Sequence, residues 1–289
     1  MAKTGSVSGS PVFRARWATP VIHLLLVTGS LIFVFPMLWM LSTSLKPIEQ
    51  TMVFPPEWFP KPIRWSNYID AVNYIPFFMY TVNTLIICVL GVIGAVMSNA
   101  VVAYSFARLQ WPGRDVLFGF TLATMMIPFP VVMVPLYSVF RELGWIGTLL
   151  PLWVPMFFAN AFYIFLLRQF FLRITKDLAE AAQIEGASEF RIFWTIYLPL
   201  AKPALAVVAL FTFINSWNDF LGPLLYLTEQ STFTLSLGLQ FYQSQHGGTQ
   251  WHLLMAASTL VVLPVVLLFF FTQRSFLRGL TFLKNVDVS

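Results

Sequence analysis

The chain has 289 residues, of which 58% are hydrophobic and only 10% charged, with a net charge of +5. Soluble domains carry about 25% charged residues, so the composition excludes a sizeable soluble catalytic domain and points to an integral membrane protein with short loops. The single cysteine, Cys88, excludes an intrachain disulfide.

Residues 1–16 are polar and read as a cytoplasmic N-terminal tail with Lys3, Arg14 and Arg16. A six-span transmembrane domain is expected over 17–273. The first span is predicted from Trp17 to Leu41, with Pro36 distorting it. A polar loop from Ser42 to Met79 follows, in which the prolines of PPEWFP and Pro62 favour extended backbone, and Trp58 and Trp65 suit the headgroup zone. The second span runs from Tyr80 to Ala107, where Gly91, Gly94, Ala95 and Ser98 make a small-residue face for close helix contact. The third lies between Asp115 and Arg141, broken by Pro128, Pro130 and Pro135, and the fourth between Glu142 and Arg168. A charged loop over 176–199 precedes the fifth span, Pro203 to Leu227. The sixth span is Trp251 to Thr272, with a C-terminal tail over 274–289.

Lys and Arg favour the cytoplasm near span ends. With the N-terminus inside, the inner segments hold thirteen of the 17 basic residues and the outer segments four, namely Lys46, Lys61, Arg64 and Arg141. Both termini and the 176–199 loop are therefore expected in the cytoplasm, in a cell membrane. The positive charge follows topology, so no nucleic-acid partner is expected.

The segment Asp177–Pro199, DLAEAAQIEGASEFRIFWTIYLP, reads as helix, break, helix. Asp177 and Glu180 are a predicted capping pair. Leu178, Ala181, Ala182 and Glu185 share a face, and the two alanines on it allow another surface to approach closely. Gly186 is a predicted left-handed C-cap. Ser188 is expected to cap the second helix, and Pro199 to end it or to open the next span. By spacing alone this could be a generic amphipathic loop helix.

The residues themselves resemble a known element. Glu180-Ala181-Ala182, Gly186 four residues later, and Leu198-Pro199 look like the EAA loop of ABC importer permeases, and EAAQIEGAS through IYLPLAKPAL is most similar to maltose-type sugar permeases. LSTSLKP at the end of the first span, and GGTQWHLLMAAS with FTQRSFLRGL near the C-terminus, resemble the same branch. Glu185 stands where that family usually has Asp, and the final TFLKNVDVS departs from its usual tail. The resemblance implies an all-α bundle of six transmembrane helices and a cytoplasmic coupling loop that docks on an ATPase. Glu180, Ala181, Ala182, Glu185, Gly186 and Arg191 would form the joint, with Leu198 and Pro199 fixing its exit. It further implies a second permease subunit, two ABC ATPase subunits carrying ATP and Mg, an extracytoplasmic solute-binding protein, and transport of a sugar by alternating access.

The fifth span carries Asn215-Ser216-Trp217-Asn218-Asp219. Polar groups in a bilayer usually face a partner helix or a cavity. Asn215, Trp217, Asn218 and Asp219 are candidate pathway residues, the amides for hydroxyls and the indole for stacking; they could equally hold helices together. His23, His246 and His252 lack ligand-like neighbours and make a poor metal site. No phosphate-cradling G-x-x-x-x-G-K-[ST] occurs, so no catalytic residues and no cofactor are expected on this chain. The rivals are an ion-coupled secondary carrier, for which Asp219 is the one deep ionisable candidate, a non-transporting membrane scaffold, and a permease for a non-sugar solute such as glycerol phosphate.

Overall fold

A computed structural model describes residues 18–244 and 248–285. The predicted N-terminal tail, His246 and the last four residues lie outside the described residues. The apolar runs become helices because a bilayer leaves backbone polar groups no partners but their own. Among the described residues, four helical runs are long and apolar enough to span: α1 (Ala18–Ser44), α3 (Phe77–Arg108), the run Leu150–Arg173, and the first part of α14 (Trp251–Asn285). Two bent pairs raise the count to six. The first is α4 (Arg114–Ala123), with its 3-10 extension to Met126, followed by α5 (Phe129–Glu142); they meet at 99° across Ile127-Pro128. The second joins Glu189–Leu200 to α11 (Lys202–Asn218) at 75°. The remaining order is α2 (Ser66–Tyr74) outside the first span, α6 (Leu150–Trp153), α7 (Ala161–Arg173), α8 (Asp177–Ile184), α9 (Glu189–Ile192), α10 (Leu198–Leu200), α12 (Leu221–Tyr226) and α13 (Leu235–Gly238). A two-residue antiparallel pair, β1 (Gln243–Ser244) with β2 (Gly248–Thr249), precedes α14.

The central helix is α3, which packs along α7 and α11 and against the 3-10 turn Val154–Phe158. The small-residue face is where that turn enters. A Cβ at Gly91 would collide with the sulfur of Met156, and one at Gly94 with the ring of Phe157. α1 lies against α14 and otherwise presents apolar side chains outward. Outside it, Asn67 ties α2 to the end of α1 through bonds from Nδ2 to the carbonyls of Ser44 and Lys46, 2.9 and 2.8 Å. Lys46 itself is fully buried, with Nζ 3.9 Å over the Trp39 ring and no hydrogen-bond partner among the described residues. Burial holds its pKa below the usual lysine range, against the opposing pull of Glu57.

Several predicted boundaries shift. α1 passes through Pro36 without a break and ends at Ser44. The second span starts three residues earlier, at Phe77. The fourth begins at Leu150, after turns at Gly144 and Gly147, and continues to Arg173. Arg168 is thus inside the helix rather than at its end; its guanidinium lies 4.2 Å from the Phe118 ring and its Nε donates to the Phe106 carbonyl at 3.2 Å. Its long stem lets it reach partners that a span-end estimate from charge cannot anticipate. The fifth helix stops at Asn218 instead of running to Leu227. The predicted C-terminal tail over 274–289 is helical through Asn285, continuous with the sixth span.

Candidate functional site

The loop over 176–199 folds as two short helices around one glycine. α8 is terminated by paired bonds, Ala187 N–H to Ala182 O and Gly186 N–H to Gln183 O, both 2.9 Å, with Gly186 at φ +83°. This is the Schellman arrangement, and it needs the left-handed residue that Gly supplies. The predicted capping pair at the other end does not form. Asp177 is the first helical residue, Lys176 precedes it, and no side chain caps the helix. Asp177 and Glu180 instead sit in the first turn, where the helix dipole favours acids. Ser188 does cap α9, its Oγ accepting from Arg191 N–H at 3.4 Å. Beyond α9 the chain makes a π-helical turn over Phe193–Tyr197 and then α10, so Pro199 lies inside the last turn; the break falls at fully buried Ala201.

The alanines of EAA face different ways, contrary to the shared face expected. Ala182 packs against the protein's own core, beside Ala179 and Ala187, whereas Ala181, Glu180, Glu185 and Arg191 are exposed. The outward surface is apolar: Ile184 is 88% exposed, Phe190 75% and Trp194 54%, and Leu178 is also open. Leu198 packs on the core and Pro199 is exposed.

Polar side chains that the sequence reading did not single out tie this loop to the spans. Tyr104 of α3 donates its phenol to Glu189, which also accepts from Gln183 of α8. Around Tyr104 lie the rings of Phe171, Phe193 and Tyr197. The Arg108 guanidinium sits 4.8 Å from the Tyr197 ring and donates to the carbonyls of Phe171 and Ile174.

The fifth-span cluster is divided. Trp217 is 3% exposed, stacks on Phe213, and donates its indole N–H to Val261 O of α14 at 3.0 Å, so it joins helices rather than offering a stacking face. Asn218 is exposed and donates to its own helix, to Ile214 O. Asp219 accepts from Gly222 N–H at 3.1 Å and lines a cavity of about 380 Å3 walled by Phe129, Phe140 and Tyr226. Asn215 lines a different cavity, about 290 Å3, with Asn99, Asn160, Tyr163 and Thr212. Both cavities share Pro155 and Met156 as walls. Thr212 and Asn215, at i and i+3, share one stripe of α11, and Asp219 follows the end of that helix at Asn218. That period was legible; the partners on α3 and α7 were not, since isolated Asn and Tyr in apolar runs carry no spacing signal. Among the described residues no group of His, Cys, Asp or Glu could hold a metal.

Among the described residues, four spanning runs and two bent pairs make a helical bundle of multi-pass membrane type, bearing a glycine-centred helix pair with an apolar outer surface. The chain belongs to the family of binding-protein-dependent transport system inner membrane components, whose model matches residues 99–281. It is 32% identical over 280 residues to the arabinooligosaccharides transport system permease protein AraQ of Halalkalibacterium halodurans, covering 92% of this chain and 97% of that one. It is 34% identical to the diacetylchitobiose uptake system permease protein NgcG of Streptomyces coelicolor, covering 88% and 84%. It is 32% identical to the sn-glycerol-3-phosphate transport system permease protein UgpE of Yersinia pestis, covering 89% and 94%. The fold matches a bacterial ABC transporter involved in the import of the acidic polysaccharide alginate, with TM-score 0.81 at 24% identity over 95% of this chain and 100% of that one. This chain is a permease subunit of an ABC importer.

Proposed function

We propose that this permease moves a sugar or sugar-like solute, delivered by an extracytoplasmic binding protein, through alternating access. It pairs with a second permease subunit and two ATPase subunits, which hold ATP and Mg. Both termini and the 176–199 loop face the cytoplasm. Glu180, Ala181, Ala182, Glu185, Gly186 and Arg191 form the joint with the ATPase, and Leu198 and Pro199 carry its motion into α11. Asn215 and Asp219 line the solute path. The observation that carries this reading is the exposed apolar surface of Leu178, Ile184, Phe190 and Trp194 on a loop whose other side is bonded to the spans. An apolar patch of this kind on a short charged loop marks a protein interface.

Among the rivals, a glycerol phosphate permease is favoured by the UgpE relative. The test is to purify the chain with its neighbouring-gene products and measure ATP hydrolysis in proteoliposomes. Stimulation by the binding protein loaded with a saccharide supports the sugar reading, and stimulation with sn-glycerol 3-phosphate alone supports the rival. Uptake driven by an ion gradient, with no ATPase retained, overturns both.

A further inference from the structure

We propose that this subunit carries its own subsite for one neutral, hydroxyl-bearing ring, built from Asn99, Asn160, Tyr163, Thr212 and Asn215 in the cavity between α3, α7 and α11. The inference rests on the importer reading and narrows its cargo. Asn99, Tyr163 and Thr212 each lie about ten residues from the Arg108, Arg173 and Lys202 ends of their helices. At 1.5 Å per residue that is roughly 15 Å, half of a hydrocarbon core of about 30 Å. Three polar side chains therefore fall near the middle of the bilayer, with Asn160 and Asn215 a few residues further along the same runs, where such groups are costly unless they serve a partner or a path.

The cavity is not simply a helix-packing network. Asn99 is satisfied structurally: its Nδ2 donates to Ala95 O and its Oδ1 accepts from Asn160 N–H at 2.7 Å. Thr212 is not. It is 3% exposed, lines the cavity, and its hydroxyl has no hydrogen-bond partner among the described residues. The Tyr163 phenol accepts a long bond from Asn215 Nδ2, 3.4 Å, and keeps its own proton to donate. The α7 side of the cavity is shaped by Ala159, at φ 63° and ψ 163°. Non-glycine residues rarely occupy that region, and strain of this kind gathers at functional sites.

The chemistry selects the ligand class. Hydroxyl and carboxamide groups can each donate and accept, which matches sugar hydroxyls. No charged side chain among the described residues lines the cavity, and the adjoining one holds the Asp219 carboxylate. Phosphate and uronate groups would find no cation there, although such anions are ordinarily met by Arg or Lys. At about 290 Å3 the cavity lies at the small end of the roughly 300–1,000 Å3 of ligand sites, enough for one ring at a time.

The test uses the full complex in proteoliposomes, with an arabino-oligosaccharide, diacetylchitobiose and sn-glycerol 3-phosphate as probes. Binding-protein-stimulated ATPase of the wild type reports on the importer reading by itself. Where it is present, Thr212→Val is expected to lower saccharide uptake per ATP hydrolysed by about three- to tenfold, the effect of one lost hydrogen bond. Thr212→Ser, which keeps the hydroxyl, should restore it. Asn215→Ala, at the exposed edge, carries the same measurement if Thr212→Val fails to assemble. Unchanged uptake per ATP in both variants overturns the subsite, as does a wild type that imports sn-glycerol 3-phosphate and neither saccharide.

Discussion

The phenol of Tyr104 donates to Glu189 Oε2 at 2.9 Å, while Glu189 Oε1 accepts from Gln183 Nε2 at 2.8 Å. One carboxylate thus bonds the central spanning helix and the first loop helix together. Hydrogen bonds to a charged group are worth about 1.5–3 kcal/mol when removed. Beside them, the π-helical turn Phe193–Tyr197 is a type of distortion frequent at functional sites.

Tyr104→Phe and Glu189→Ala should leave the permease assembled but lower solute moved per ATP several-fold, because α8 could then shift without α3. Glu189→Gln keeps an acceptor and should retain most of the coupling. Parallel measurement of hydrolysis and uptake decides it; equal losses of both, in proportion to assembled complex, would mean that the bond only supports folding.

Gly186 sits at φ +83° with nothing among the described residues within 4 Å of where a Cβ would be. Substitution therefore meets no clash among the described residues, and its cost is backbone conformation, about 1–2 kcal/mol for an L residue. Gly186→Asn should be tolerated, since Asn adopts this geometry at helix ends. Gly186→Val should weaken retention of the ATPase in a pull-down; equal retention by Asn and Val variants would remove the loop from the joint.

Asn99 satisfies the Asn160 N–H at the break ahead of α7. Asn99→Leu leaves that buried-side donor unpaired, at about 1–3 kcal/mol, and should shorten the heat-inactivation half-life of the purified complex. Ala159→Gly should act oppositely, relieving strain of about 1–3 kcal/mol. A half-life unchanged in both would show that the break does not limit stability.

Lys46 has its pKa depressed by burial. The unfolded chain then binds the proton more tightly than the folded one between the lowered value and the ordinary 10.5. Stability contributed at this site should rise as pH increases through that window and be smallest below it. Lys46→Met removes the buried charge and should raise the melting temperature at neutral pH while flattening this dependence. A parallel pH profile in wild type and variant would count against it.

In a Cys88→Ala background, Ser188→Cys should react with an impermeant thiol reagent only from the cytoplasmic side, and Thr249→Cys only from outside. Reaction of both from one side would refute the topology drawn from basic-residue asymmetry.

What the sequence determined by itself follows from local physics. Span existence came from apolar run length, the turn at Gly186 from the one residue that tolerates positive φ, and the cap at Ser188 from its hydroxyl ahead of a short helix. Membership of the permease class was legible for the same reason, because the 176–199 loop encodes its shape in adjacent residues. Tertiary structure alone decided which polar side chains meet. Asn215 joins Asn99 and Tyr163 across three helices, Trp217 turns into α14, and Asp219 opens on a separate cavity. Those choices depend on how α3, α7 and α11 are rotated about their axes, and on α3 the close entry of Met156 and Phe157 against Gly91 and Gly94 is one such contact. Close packing of this kind between distant segments leaves no periodic trace along the chain, so the neighbours of each polar residue emerge only when the helices are assembled.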